Sequence, residues 1–299
     1  MIEKKDNKGG FVEEWDVHDL VWFKGNYKNG ERDGPCEEFD TIDELISKGN
    51  YKNGKKDGLW ETFRVEGLNK TVEYPFVDLD EGILVSKGNY KNGKPDGLWE
   101  NFHENGQTTS EKNYKNGKLN GLWEMFHENG QLKSRQNYKN GEREGLYEWF
   151  YKNGQRWFRG YDKNWKGDGL SEYYLENGDL HYRCNYKDGE KDGLWVRLHK
   201  KGQLESRGNY NNGKRDGLWE EFYDNGQLKE RGNIKDGKAV GLWEDFHENG
   251  QLGERGNFKD GELNGLWEGF DEEGNLIYTE DWKDGELISE NWIGSQSDD

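Results

Sequence analysis

The sequence predicts an all-β fold: an elongated, single antiparallel β-meander of tandem 24-residue β-hairpin repeats, with no helices. Two observations predict it. Gly-Leu-Trp or a close relative recurs every 24 residues along most of the chain, which is typical of a repeat architecture. Each repeat also contains two turn dipeptides, such as Asn225-Gly226 and Asp236-Gly237, between runs rich in β-forming residues. Because these dipeptides favour the type I′ corners that join antiparallel strands, each repeat should form one hairpin.

About eleven repeats fill residues 10–293, which we treat as a single array. Their first residues are Gly10, Gly34, Gly58, Gly97, Gly121, Gly145, Gly169, Gly193, Gly217, Gly241 and Gly265. One insertion, near residues 66–84, lengthens the repeat that begins at Gly58. A charged N-terminal extension (residues 1–9) precedes the array, and a polar tail (residues 294–299) follows it.

The register of each hairpin follows from its turn, since a two-residue turn pairs residues whose numbers have a constant sum. For Asn225-Gly226 this rule places Glu220 opposite Arg231 and Trp219 opposite Gly232. The same rule gives the charge pairs Glu124–Arg135, Glu148–Arg159, Glu172–Arg183 and Glu244–Arg255, and it sets Trp195, Trp243 and Tyr147 against Gly208, Gly256 and Gly160. Cross-strand pairs of this kind stabilise a sheet by roughly 0.2–1 kcal/mol each.

Strict alternation along the strands predicts two faces with different compositions. In the repeat that begins at Gly217, one face carries Trp219, Tyr223, Leu228 and Ile234. The other face carries Leu218, Glu220, Phe222, Lys229 and Arg231. The first face is the more apolar. Two interpretations stay open for Phe222: a bulge redirects it, or aromatic rings half cover both faces.

Composition excludes several classes of function. The 299 residues include 43 Lys and Arg against 61 Asp and Glu, a net charge of −18, so binding to nucleic-acid phosphates is not expected. No apolar run approaches the roughly 18 residues that cross a bilayer, and the first residues lack the apolar stretch of a secretory signal, so we expect a cytoplasmic protein that does not bind membranes. Cys36 and Cys184 are too few for a disulfide framework and are expected to be free thiols.

The sequence shows no arrangement typical of a catalytic, cofactor or metal site. His103, His127, His199 and His247 share one position of the repeat, and neighbouring copies should lie about 10 Å apart, too far to share a metal ion. Packing at strand ends is therefore expected for them. A recurrent Asp before Gly-Leu should bond its own local backbone at a turn, as at Asp57, Asp96, Asp168, Asp192 and Asp216. We expect no enzymatic activity and no cofactor.

Departures from the repeat are the candidate partner-binding residues. The insertion offers Tyr74, Phe76, Asp78 and Asp80. In the repeat that begins at Gly145, Trp157 and Phe158 replace the usual Leu-Lys, and Trp165 replaces the corner glycine. Exposed aromatic residues are common anchors of protein interfaces. The alternative is a decorated loop and a locally slipped register.

The unit G-L-W-E-x-F-x-x-N-G-Q-L-x-x-R-G-N-Y-K-N-G-K-x-D resembles the bacterial-type variant of the MORN repeat, and is seen almost whole from Gly97, Gly121, Gly193, Gly217 and Gly241. This resemblance implies tandem hairpins stacked into an elongated, twisted sheet, and it brings no catalytic residues. Relatives include the YwqK-like antitoxins, which are thought to neutralise secreted polymorphic toxins. Other MORN proteins are scaffolds or are described as membrane-associated.

Composition, repeat and resemblance together predict a non-enzymatic, protein-binding repeat scaffold. The more specific hypothesis, which rests on the resemblance, is an antitoxin or immunity protein that sheathes a toxin. A charge of −18 suits a basic partner. The alternative function is a structural component or spacer of a surface, secretion or viral particle assembly.

Overall fold

The computed structural model describes residues 9–16, 18–64 and 83–293, and all regular elements within them are β-strands. The chain divides into two compact units, which we call unit 1 (Met1–Gly145 and Lys152–Gly154) and unit 2 (Leu146–Tyr151 and Gln155–Asp299). Most of the predicted extension, most of the insertion and the whole polar tail lie outside the described residues.

Unit 1 consists of antiparallel strands that pair in chain order, as the predicted meander requires. Short β5 also pairs with β4, beside β6. The strands are β1 Gly10–Asp16, β2 Val21–Lys28, β3 Glu31–Phe39, β4 Leu45–Lys52, β5 Lys55–Lys56, β6 Gly58–Arg64, β7 Ile83–Lys91, β8 Lys94–Phe102, β9 Thr108–Lys115, β10 Lys118–Phe126 and β11 Leu132–Lys139. The next strand, β12 (Glu142–Phe150), has residues in both units.

Unit 2 repeats the same pattern, with short strands β14, β19 and β24 each preceding a longer one. Its strands are β13 Arg156–Lys163, β14 Lys166–Gly167, β15 Gly169–Tyr174, β16 Leu180–Lys187, β17 Glu190–Leu198, β18 Leu204–Asn211, β19 Lys214–Arg215, β20 Gly217–Phe222, β21 Leu228–Lys235, β22 Lys238–Phe246, β23 Leu252–Lys259, β24 Glu262–Leu263, β25 Gly265–Phe270, β26 Leu276–Lys283 and β27 Glu286–Trp292.

The two turns of a repeat differ in conformation. At Asp236-Gly237 both residues have positive φ, 51° and 86°, which confirms the predicted type I′ corner. At Asn225-Gly226 the prediction of a two-residue turn is wrong, because only the glycine has positive φ. There the Tyr223 N–H donates to the Gln227 carbonyl at 2.9 Å, which closes a longer loop.

A β-bulge follows this longer loop and restores the predicted register. Phe222 lies opposite Leu228, whereas Glu221 lies opposite Glu230, so Lys229 has no register partner. The extra loop residue and the bulged residue offset each other. Glu220 therefore lies opposite Arg231 as predicted, and the predicted pairs of β10–β11, β15–β16 and β22–β23 are also confirmed.

The two faces of the sheet differ strongly in burial. The tryptophan face bears the buried side chains of Trp219, Ile234 and Trp267, with Trp219 only 2% exposed, and other side chains of this face are partly buried. The leucine face bears Leu218, Leu242 and Leu266, each nearly half exposed. The predicted difference in apolar character is confirmed. The prediction for Leu228 is wrong, because the bulge places it opposite Phe222 on the leucine face.

Glycines on the tryptophan face make room for the indole rings of the following hairpin. A Cβ atom at Gly232 would lie 1.8 Å from Cε3 of Trp243, and one at Gly208 would lie 2.0 Å from Cε3 of Trp219. The predicted register pairing of Trp219 with Gly232 is correct, but the ring covers the glycine of the preceding strand instead. Ring packing therefore couples one repeat to the next.

Candidate functional site

Four carboxylates occupy one row of the tryptophan face in unit 2, and we call them the acidic row: Glu221, Glu230, Asp245 and Glu254. They belong to β20, β21, β22 and β23, and each lies opposite the next in the sheet register. Adjacent strands are about 4.8 Å apart, so the row places a negative charge on each of four consecutive strands. In unit 1 the same row of the repeat carries serines at Ser47, Ser86 and Ser110.

The acidic row holds its negative charges at an energetic cost. Burial, followed by repulsion from Glu221 and Asp245, raises the pKa of Glu230. Burial, followed by repulsion from Glu254, raises the pKa of Asp245. A hydrogen bond from Glu230 and the charge of Lys229 both favour the anion of Asp245, and Lys229 also favours that of Glu230, but burial and repulsion outweigh them and both pKa values stay raised.

Indole and phenol groups border the acidic row. Trp267 Nε1 donates to Glu254 Oε2 at 3.3 Å, and Tyr278 OH donates to Glu254 Oε1 at 2.8 Å. At the other end, Trp219 Nε1 lies 3.5 Å from Glu221 Oε1. Carboxylates beside indole rings are suited to binding lysine or arginine side chains, since both groups attract cations.

The acidic row was not among the residues that we predicted to be functional. The signal was nevertheless present in the sequence, because the register rule that pairs Glu220 with Arg231 also pairs Glu221 with Glu230 and Asp245 with Glu254. These like-charge pairs lie next to the opposite-charge pairs from which the register was predicted.

The predicted partner-binding residues of β13 are in different environments. Trp157 is 42% exposed and packs edge-on against Trp149, with ring centroids 6.1 Å apart. Phe158 is buried between Tyr147 and Tyr173 and presents no surface to a partner.

Trp165 occupies the second position of a corner, with φ 65°, and is 54% exposed. It follows β13, whereas Trp157 lies near the start of that strand, so the two tryptophans are about 25 Å apart and do not form one patch. Tyr74, Phe76, Asp78 and Asp80 lie outside the described residues.

The shared histidine position links adjacent repeats. Nε2 of His199 lies 3.1 Å from the Phe222 carbonyl oxygen, and Nε2 of His247 lies 2.9 Å from that of Phe270. Where the repeat has Tyr223 instead, its hydroxyl donates to the corresponding carbonyl of Phe246. These side chains pack at strand ends, as expected, and bond the backbone of the following hairpin.

The recurrent aspartates accept hydrogen bonds from the backbone of the following corner, so the prediction that they bond their own local backbone is wrong. Asp96 Oδ2 accepts the N–H of Asn116 at 2.9 Å, and Asp192 Oδ2 accepts that of Asn212 at 3.4 Å. Each bond joins one corner to the following one. The aspartates therefore have a structural role.

The two thiols are free, as predicted, and both are buried. Burial raises the pKa of Cys36 to about 12 and that of Cys184 to about 11. In the part of the chain that the structure describes, no group of three or more His, Cys, Asp or Glu side chains is arranged to hold a metal ion. Nor do these residues include a helix long and apolar enough to span a membrane.

The family model of the MORN repeat variant matches eight consecutive segments of this chain. They are residues 95–116, 119–140, 143–161, 167–188, 191–212, 215–236, 239–260 and 263–284. The chain belongs to the MORN repeat variant family. The three earliest sequence repeats lie outside the matched segments, yet β1–β7 form the same kind of hairpins.

Comparisons with individual proteins add little to this MORN assignment. No curated protein matches the chain. Among solved structures, it is similar to a mutant of S. aureus TarM in complex with Fondaparinux, alpha-GlcNAc-glycerol and UDP. That match has 13% identity and a TM-score of 0.24, and it covers 36% of this chain and 21% of the TarM chain. The repeats, then, identify the chain as a repeat-based binding scaffold.

Proposed function

We propose that this MORN-repeat protein is a non-enzymatic, cytoplasmic scaffold that binds a basic protein through the acidic row of unit 2. The more specific proposal is an antitoxin or immunity protein whose partner is a basic toxin. The observation that most directly supports the binding of a basic protein is the succession of Glu221, Glu230, Asp245 and Glu254 on four neighbouring strands.

A cationic partner would relieve the repulsion within the acidic row. Glu230 and Asp245 have raised pKa values, so their anionic forms are destabilised in the free protein. Lysine or arginine side chains placed against them would stabilise these anions, more strongly than on an open surface because the groups are partly desolvated. The net charge of −18 would also speed the encounter with a basic protein.

A calorimetric titration with an arginine-rich peptide tests this proposal. The full chain should bind the peptide, and the double variant Glu230→Gln, Asp245→Asn should bind it more weakly. The matched control is the double variant Glu248→Gln, Glu272→Gln, which removes the same charge from exposed positions of unit 2 outside the row. Equal weakening in both variants would show that net charge, rather than the row, determines binding.

The antitoxin role needs a separate test in cells. Candidate basic toxins encoded near this gene would be co-expressed with the wild-type chain and with the double variant Glu230→Gln, Asp245→Asn. We expect the wild type to restore growth and the variant to restore it less. Protection that is identical with both chains would contradict the proposed binding site.

A further inference from the structure

Three aromatic side chains lie side by side on the tryptophan face of unit 2. Phe158, Tyr173 and Tyr182 belong to β13, β15 and β16, and each lies opposite the next in the sheet register. Tyr173 and Tyr182 occupy the repeat positions that Glu221 and Glu230 of the acidic row occupy two repeats later. Two partly buried phenols therefore stand where a later repeat has carboxylates.

The two tyrosine rings are stacked on each other. Their centroids are 4.1 Å apart, and their planes differ by 14°. Burial raises the pKa of Tyr182, and the neighbouring hydroxyl of Tyr173 raises it further. Both hydroxyls thus lie at the same end of the stack, so the ring carbons beside one hydroxyl face those beside the other.

An exposed indole is linked to this stack through one buried ring. Trp157 is 42% exposed, and its ring centroid lies 6.3 Å from that of Phe158. Phe158 in turn packs edge-on against Tyr173, with centroids 4.6 Å apart. An oxidised indole takes an electron from a phenol in neutral water, because the phenol loses its proton at the same time. Oxidation that begins at Trp157 can therefore be passed on to the tyrosines.

We propose that Tyr173 and Tyr182 form an oxidative cross-linking site, with Trp157 as its exposed entry point. A one-electron oxidant removes one electron from each tyrosine, and each phenol releases its proton to solvent. The two radicals couple through a new C–C bond between carbons beside the hydroxyls. The hydrogens on these carbons then move to the phenolic oxygens as protons, which restores both aromatic rings. In total the oxidant gains two electrons and the solvent two protons.

The stacked arrangement favours this coupling. The unpaired electron of a phenoxyl radical occupies orbitals that point out of the ring plane, so two rings in face-to-face contact overlap where the bond must form. The sheet also holds the two rings together, which removes the entropic cost of an encounter. The product would join β15 covalently to β16 and lock their hairpin.

The repeated tyrosines of this face are placed less favourably for coupling. Tyr186 and Tyr210 occupy equivalent positions on β16 and β18, with β17 between them. Strands two apart are separated by about 10 Å, so the two rings cannot bond without a large movement. We therefore expect coupling at the stacked pair ahead of coupling between repeats.

Photo-oxidation of the full chain with tris(bipyridine)ruthenium(II) and persulfate, which accepts the electrons, tests the proposal. The product should show dityrosine fluorescence and the loss of two hydrogen atoms by mass spectrometry. A Glu-specific protease cleaves after Glu176, between the two tyrosines, so the fragments should remain joined only through the cross-link. Photo-oxidised protein whose fragments separate at this point would overturn the proposal.

Phenylalanine variants identify the coupled residues while keeping the rings. Tyr173→Phe and Tyr182→Phe should each lose the cross-link. Tyr174→Phe is the matched control and should keep it, because the hydroxyl of Tyr174 donates to Glu172 instead. A cross-link that persists in Tyr173→Phe and is lost in Tyr174→Phe would contradict the assignment.

Two further measurements separate the folded geometry from mere closeness in sequence. In urea the stacked pair comes apart, so the yield of the cross-link should fall several-fold. An equal yield in urea would show that the stack is not required. Trp157→Phe removes the exposed indole and should slow coupling in the native protein several-fold, whereas an unchanged rate would overturn the role of Trp157 as entry point.

Discussion

Arg231 bonds the carboxylate of the following hairpin, although its register partner within the hairpin is also a glutamate. Its Nε lies 2.5 Å from Glu244 Oε2, whereas Glu220 lies opposite it in the register of β20 and β21. The same preference recurs in Arg255, which bonds Glu268 although Glu244 lies opposite it within its hairpin. Arg207 bonds Glu220 of the following hairpin and lies opposite Val196 in its own. On the other face, the Trp243 ring also contacts a neighbouring hairpin: it covers Gly232 of the preceding strand, although Gly256 lies opposite it within its own hairpin.

A double-mutant cycle should detect this preference. Coupling between Arg231→Met and Glu244→Gln should be roughly 0.2–1 kcal/mol, the range for partly exposed ion pairs, and should decrease with added salt. The cycle of Arg231→Met with Glu220→Gln is the control and should give a smaller coupling. Urea unfolding supplies the free energies. A larger coupling to Glu220 would contradict the observed pairing.

Gly232 should tolerate no side chain. A Cβ atom there would lie 1.8 Å from the Trp243 ring, so Gly232→Ala must displace the indole and should lower the free energy of unfolding by roughly 1–3 kcal/mol. Asn233→Ala, at the neighbouring exposed position of the same strand, is the control and should have little effect. Equal unfolding midpoints for the two variants would show that the ring does not need the glycine.

Much of the fold follows from the sequence because its signals are local and repeated. Asp236-Gly237 specifies a type I′ corner through the conformational preferences of two residues. The loop at Asn225 is different: its Oδ1 accepts the Gln227 N–H, a bond that the dipeptide alone does not reveal. The predicted register of the strands is correct although the predicted turn is wrong, because the bulge at Lys229 offsets the longer loop.

The candidate site was less predictable because it depends on which strands are neighbours. Phe158 was predicted to bind a partner because it departs from the repeat, but its ring is buried between two tyrosine rings. Glu230 and Asp245 conform to the pattern of a charged strand, and their significance appears only when β21 and β22 pair. Alternation along a strand predicts the face of the sheet on which a side chain lies, but packing determines which neighbouring strand that side chain contacts.

The histidine position should contribute to stability through its bond to the next repeat. His247→Ala removes the contact with the Phe270 carbonyl and should lower the free energy of unfolding of the protein by roughly 0.5–1.5 kcal/mol. His103→Ala is the matched control, because its Nε2 has no hydrogen-bond partner among the described residues. A loss at His103 as large as at His247 would indicate that ring packing, rather than the hydrogen bond, is responsible.

Both cysteines should resist alkylation in the native protein. Cys184 is fully buried and Cys36 is nearly so, and burial raises their pKa values to about 11 and about 12. The reactive thiolate is therefore scarce at pH 8. Iodoacetamide followed by mass spectrometry should label neither residue in buffer and both in urea. Rapid labelling in buffer would mean that the tryptophan face opens readily.

The acidic row should make unit 2 less stable as the pH rises. The pKa of Glu230 is raised above its ordinary value of 4.5 in the folded protein, so the folded state binds this proton more tightly than the unfolded state does. The resulting stabilisation is complete below pH 4.5 and is lost as the pH rises through the raised pKa. Asp245 acts in the same direction from its ordinary value of 3.8.

Replacement of Glu230 by glutamine removes a charge that the fold holds at a cost. Glu230→Gln should therefore raise the urea midpoint at pH 7, while at pH 4 the variant and the wild type should differ less, since the glutamate is then largely protonated. Glu248→Gln, at an exposed position outside the row, should change the midpoint little at either pH. A Glu230→Gln variant that is less stable than the wild type at pH 7 would show that the anion is stabilised by the fold. The acidic row would then lack the unfavourable repulsion that a cationic partner is proposed to relieve.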